Sequence, residues 1–153
     1  MSNITIRPME PEDWNAVSEI YLEGIATEHA TFQTTCPPYT AWDASHTKDC
    51  RLVVLDDGVV AGWAALHRVD PRWCYRGVVE VSIYVGEQFR GRGVGFHLLT
   101  ALCADFPAHL LIQIKTAAFS CKKYFIPICR FILRKQHFQT EYRNRMLTKI
   151  LFL

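Results

Sequence analysis

The chain has 153 residues, half of them apolar and 21% charged, a balance that gives a single domain a core without disulfides. No apolar run reaches the roughly 20 residues that a membrane span needs. The start, MSNITIRPMEPEDW, lacks the basic, apolar and small-residue succession of a signal peptide, so a cytoplasmic protein that engages no membrane is expected.

The six cysteines, at 36, 50, 74, 103, 121 and 129, form no Cys-x-x-Cys and stand at no zinc-finger spacing from a His. They read as buried or incidental thiols, and no metal is expected. The net charge of +2 hides an asymmetry. Residues 1–108 carry 8 Lys+Arg and 14 Asp+Glu, about −6, whereas 109–153 carry 9 Lys+Arg and the single acid Glu141, about +8.

Residues 4–8, ITIRP, alternate and then meet a proline, as a short first strand does. Over 11–28, Trp14, Val17, Tyr21 and Gly24/Ile25 recur on one helical face. Pro11 suits the first turn of that helix, and Glu12 and Asp13 suit its positive end. Two adjacent prolines make TFQTTCPPYTAW a loop, with a short helix expected around Tyr39–Lys48. Two β-branched runs flank Asp56-Asp57-Gly58 and predict a hairpin. The segment DPRWCYRG is a polar, aromatic loop.

Residues 78–85, VVEVSIYV, form the next strand. Val79, Val81, Ile83 and Val85 share one face, and Glu80, Ser82 and Tyr84 the other. A helix over 93–106 and a strand over 109–115 follow, and no internal repeat is visible. The order predicts a mixed α/β (α+β) layer arrangement around one central sheet flanked by helices.

Between that strand and that helix stands RGRGVG, residues 90–95. A strand ending in a Gly-rich turn that opens a helix is suited to anions. The helix start offers unpaired N–H groups, glycines admit close approach, and Arg90 and Arg92 add charge. The bland alternative is a tight turn with solvated arginines. Two named nucleotide motifs fail here. There is no Lys-Ser/Thr for a P-loop, and the spacing Gly91-x-Gly93-x-Gly95 is not Gly-x-Gly-x-x-Gly after a first strand.

Arg90-Gly91-Arg92-Gly93-Val94-Gly95 does match Arg/Gln-x-x-Gly-x-Gly/Ala, and so resembles the acyl-CoA pyrophosphate loop of the GNAT N-acetyltransferases. TIRPMEPEDWNAVSEIY, ATFQTTCPP with Trp42 beyond it, VVAGWAAL, and Tyr75 separated by four residues from EVSIYV narrow the resemblance. They are similar to the phosphinothricin and methionine sulfoximine/sulfone N-acetyltransferases over about residues 3–108.

The resemblance implies a GNAT acyl-CoA N-acyltransferase fold in one domain, 1–153. It implies transfer of acetyl from acetyl-CoA to a small amino-acid-like amine. The turn amides at Arg90, Gly91, Arg92, Gly93, Val94 and Gly95 are expected to hold the pyrophosphate. Tyr84 and Val85 are expected to splay from the sheet and pair with the pantetheine arm, the N–H near Val85 polarising the thioester. Glu80 is the candidate base, through a water, with partial burial expected to raise its pKa. Against this stands an exposed strand carboxylate.

Ser82 shares the face of Glu80 and is assigned to the substrate side. Phe32 aligns with an aromatic that lines the substrate pocket, against the alternative of a core Phe under a loop. Arg72, Tyr75 and Arg76 precede the Glu80 strand, where an Arg can anchor a substrate carboxylate, the alternative being solvated arginines. His46, His67 and His97 show no partner pattern and receive no role.

Past Ala108 the family pattern stops. There is no Pro-Glu-Asn segment and no glycine after Gly95. Tyr124 and Asn144 align with no functional residue, so no role is carried beyond 108. We expect 109–153 to be a divergent tail, from a shifted reading frame or a replaced 3′ end, which leaves the C-terminal part of the fold atypical or incomplete. Rapid divergence is the alternative.

Three other functional readings remain: a different amine or protein N-terminal acceptor, a catalytically impaired CoA-binding homologue, and a nucleic-acid contact by the basic tail, which matches no known module. A small-molecule partner and no nucleic acid are expected. A homodimer stays open.

Overall fold

The structure is a computed structural model. It describes residues 3–68, 70, 73, 79–105 and the backbone of 78 and 111–114. In chain order these form β1 (Ile4–Pro8), a 3-10 turn (Pro11–Asp13), α1 (Trp14–Ala26), α2 (Tyr39–Ser45), β2 (Leu52–Asp56), β3 (Val59–Arg68), β4 (Val78–Val85), a second 3-10 turn (Glu87–Phe89), α3 (Val94–Asp105) and β5 (Leu111–Ile114). The five strands form one sheet in the order β1-β2-β3-β4-β5. The first four are antiparallel, and β5 runs parallel to β4. That parallel step needs a crossover, and α3 supplies it.

Strand β3 decides the layering. Residues 61–66 are buried without interruption, so both of its faces are covered. On one face Trp63 and Ala65 join Val53 of β2 in a core with Val17 and Ile20 of α1 and Trp42 of α2. On the other, Gly62, Ala64 and Leu66 face α3, whose Leu98 and Leu102 are fully buried. Each such aliphatic side chain contributes about 1.5–3 kcal/mol.

The helical pattern of α1 is met, with Val17, Ile20 and Gly24 buried and Trp14 and Tyr21 half-buried. The helix itself starts at Trp14, because Pro11–Asp13 close a 3-10 turn first. Arg7 of β1 locks that turn to the sheet by a two-pronged bond to Asp13 at 2.7 and 2.8 Å.

The second helix is shorter than expected, ending at Ser45. It is tied down by Arg51, whose side chain is 9% exposed. Arg51 donates to the Asp43 carboxylate and to the carbonyls of Asp43, His46 and Thr47, and lies 5.0 Å from the Trp42 ring centroid. A guanidinium this buried is tolerated because its donors are so widely engaged.

The Asp57-Gly58 hairpin forms as expected, with φ of +50° and +83°. Its register slips between Val54 and Leu55, because Ala61 is an extra residue in β3. Of the described cysteines, Cys103 is buried and Cys36 and Cys50 are half-buried, all as free thiols. Among the described residues no helix is long and apolar enough to cross a membrane. The expected divergent tail, apart from the β5 backbone, lies outside the described residues.

Candidate functional site

The end of β4 and the turn after it form the site. Gly86 N–H donates to the Ala61 carbonyl at 3.0 Å, which makes Gly62 and Val85 a non-hydrogen-bonded pair in the β3–β4 ladder. Val85 therefore turns its own N–H and C=O away from β3, towards the β5 side. Pairing with β5 ends at Val81. Among the described residues, nothing pairs with β4 on that side from Ser82 to Val85.

This alternation gives the edge to Val85 and Ile83, a residue that sequence reasoning missed. Tyr84, expected to share the pantetheine-binding role, pairs its backbone with Trp63 instead. Its ring stacks on Trp63 at 4.7 Å and meets Tyr21 edge-on at 5.0 Å. Burial pushes its phenol up to about 12. The side chain is a piece of core, and Gly24 makes room for it. A Cβ at Gly24 would lie 2.6 Å from the ring.

The turn then adopts the conformation its glycines permit. Gly91 and Gly93 have φ of +78° and +82° and flank Arg92, so neighbouring N–H groups converge as in an anion-binding nest. Apart from its two chain neighbours, no described residue places an atom within 4 Å of where a Gly91 Cβ would stand. The turn is thus open to a ligand. The Gly93 carbonyl accepts from the N–H groups of Phe96 and His97. The Val94 and Gly95 amides, in the first turn of α3, have no intrahelical acceptor.

Arg90 is exposed and folds back to donate from Nε to the Val85 carbonyl at 3.3 Å. Arg92 reaches the other way, to Asp56. The residues present fit a coenzyme pyrophosphate, by the amides at the start of α3, the two glycines at positive φ and the strand edge beside them, which no described residue pairs.

Glu80 and Ser82 lie upstream on the face of β4 that packs towards α1, both half-buried. Glu80 stands five residues before Val85, about 17 Å along an extended strand. The carboxylate can act at Val85 only through water, past Ser82. Opposite Glu80 in the ladder is His67, and His67 bridges to His46. No local pattern links these histidines, because the pairing that joins them is long-range.

His46 stacks on Trp42 at 4.2 Å and its Nδ1 lies 2.8 Å from the Trp42 carbonyl. Burial pushes its pKa down to about 4, with His67 and Arg51 adding repulsion and the Trp42 carbonyl and Asp43 opposing it. A group depressed from 6.5 stabilises the fold fully above that pH and loses its contribution as pH falls towards 4. Urea unfolding across this window is expected to show a loss of about 3 kcal/mol at most from His46. A His46→Gln variant should flatten that slope.

Phe32 is 105% exposed among the described residues, so it is not a core side chain under the loop. Arg72, Tyr75 and Arg76 lie outside the described residues.

A five-stranded mixed sheet whose fourth strand opens before a glycine turn and helix matches what the family comparison finds. The Acetyltransferase (GNAT) family profile covers residues 13–124, past Ala108, where the recognisable motifs end. The chain belongs to the GNAT acetyltransferase family.

Among its relatives, a Bacillus subtilis (strain 168) protein named "Putative phosphinothricin acetyltransferase YwnH" is 38% identical over 63% of this chain and 62% of that protein. The phosphinothricin N-acetyltransferase of Alcaligenes faecalis is 32% identical over 65% of this chain and 53% of that one. A GNAT superfamily phosphinothricin acetyltransferase from Sinorhizobium meliloti, solved in complex with AcCoA, superposes with a TM-score of 0.58 at 32% identity, over 66% of this chain and 58% of that one. The chain thus spans less than two thirds of the length of these relatives.

Proposed function

We propose that the chain transfers an acetyl group from acetyl-CoA to the amino group of a small amino-acid-like substrate, of the phosphinothricin or methionine sulfoximine/sulfone type. The observation that carries this is the edge at Ile83 and Val85, which no described residue pairs, beside the glycine turn Arg90–Gly95. One offers amides to an extended arm and the other to a pyrophosphate.

Acetyl-CoA supplies the activated acyl group. The turn amides and Arg90 hold its phosphates, and the Val85 N–H donates to the thioester carbonyl, where negative charge develops. Glu80 would take a proton from the substrate ammonium through water; the free amine would then attack the thioester carbon, the C–S bond would break, and the second amine proton would pass to the leaving coenzyme thiolate. The amino-acid acceptor is favoured by the printed names of the relatives. Other amines and protein N-termini are alternatives that the same assay separates.

Calorimetric titration with acetyl-CoA, followed by a thiol-release assay over phosphinothricin, methionine sulfone and short peptides, tests the proposal. Saturable binding with turnover on the first two is expected. Binding without turnover on any amine would leave a coenzyme-binding homologue, and no binding would remove the reading.

A further inference from the structure

We infer that Asp56 is a positioning residue that braces the glycine turn through Arg92, and that Arg92 is a strut rather than a phosphate ligand. The coenzyme side of this inference rests on the function proposed above.

Arg92 stands between Gly91 and Gly93, both at positive φ. Glycine is the residue most costly to hold still, and neither flanking glycine has a side chain with which to anchor the turn. Arg92 does the anchoring. Its Nη1 lies 3.3 Å from Asp56 Oδ2, and its guanidinium carbon is 5.8 Å from the centroid of Phe89, a residue only 9% exposed.

The other end of the strut is fixed. Asp56 closes β2 and is in register with Ile4 and Val59. Alternation along β2 puts its side chain on the face that α3 covers. The residue is 6% exposed, and its Oδ1 has no hydrogen-bond partner. A buried carboxylate with one oxygen unsatisfied is costly. Among the described residues Arg92 is the cation that offsets it. A guanidinium that left Asp56 for a phosphate would strand that charge. This favours Arg92 remaining on Asp56 when the turn is occupied, with Arg90 and the amides left to meet the ligand.

The test uses Asp56→Asn, Arg92→Gln and the double variant in the whole chain, read by amide hydrogen exchange over residues 90–95 without ligand and by acetyl-CoA titration. In the free protein, both single variants should speed exchange of the turn about tenfold, and the double variant should be no worse than either. Asp56→Asn should raise the acetyl-CoA Kd about tenfold while kcat and the amine KM hold.

Unchanged exchange in both single variants would overturn the inference. So would unchanged or tighter acetyl-CoA binding by Asp56→Asn, because freeing Arg92 would then help a phosphate. If the parent chain binds no acetyl-CoA, the coenzyme reading falls and the exchange data still decide the brace. Arg92, 58% exposed, can be replaced without opening the core should Asp56→Asn fail to fold.

Discussion

Glu80→Gln is expected to lower kcat about 100-fold while leaving acetyl-CoA affinity and the thermal midpoint close to those of the parent. General base catalysis contributes about 10²–10⁴, and the low end applies here because of the distance. Glu80 lies about 17 Å along β4 from Val85, so its proton must travel through water and a water chain survives the substitution. The amide keeps the shape of the carboxylate and loses its charge. Steady-state rates at saturating acetyl-CoA, with pH varied, provide the measurement. A loss of rate that is recovered as pH rises and free amine accumulates identifies Glu80 as the base. Equal rates in variant and parent would reduce it to a strand carboxylate facing His67.

Gly62→Ala is expected to destabilise the fold by about 1–3 kcal/mol and to weaken acetyl-CoA binding beyond that loss. The added Cβ would stand 2.7 Å from the Tyr84 carbonyl oxygen and 3.3 Å from Leu98. The first contact is with backbone, so no side-chain rotation relieves it. Tyr84 pairs with Trp63 through that carbonyl, and prying the two strands apart there displaces the adjoining Val85. Urea unfolding gives the first number and titration the second. Tolerance of alanine in both measurements would mean that β3 and β4 can separate locally at no cost.

The strands and α1 were legible because their burial follows a local period. Alternation in residues 78–85 and the Asp56-Asp57-Gly58 signal needed no partner to be read. The glycine turn was legible too, since three glycines and two arginines between a strand and a helix imply an anion by chemistry alone. What escaped depends on pairing between distant segments. Ile83 and Tyr84 look alike as candidates for an open edge until Gly86 is found bonded to Ala61, which decides which residue faces outwards. Tyr84 joins the core because Gly24, sixty positions earlier, lacks a side chain. Arg51 reads as one more surface cation until Thr47, His46, Asp43 and Trp42 close around it. Arg92 was grouped with Arg90 by adjacency, yet the two side chains reach different strands.

The extra residue at Ala61 bears on how this chain tolerates insertions and deletions. Val60 lies beside Leu55 and Gly62 beside Val54, so β3 changes phase at this point. Removing Ala61 would restore an uninterrupted ladder with β2 and would look harmless by the usual rules for hairpins. It would also take away the residue whose carbonyl holds Gly86, so that Val60 would have to supply that acceptor, and the outward direction of Val85 would depend on how closely Val60 takes its place. One residue lost at Ala61, where the sheet would look unharmed, should therefore be felt at Val85, on the strand beyond β3.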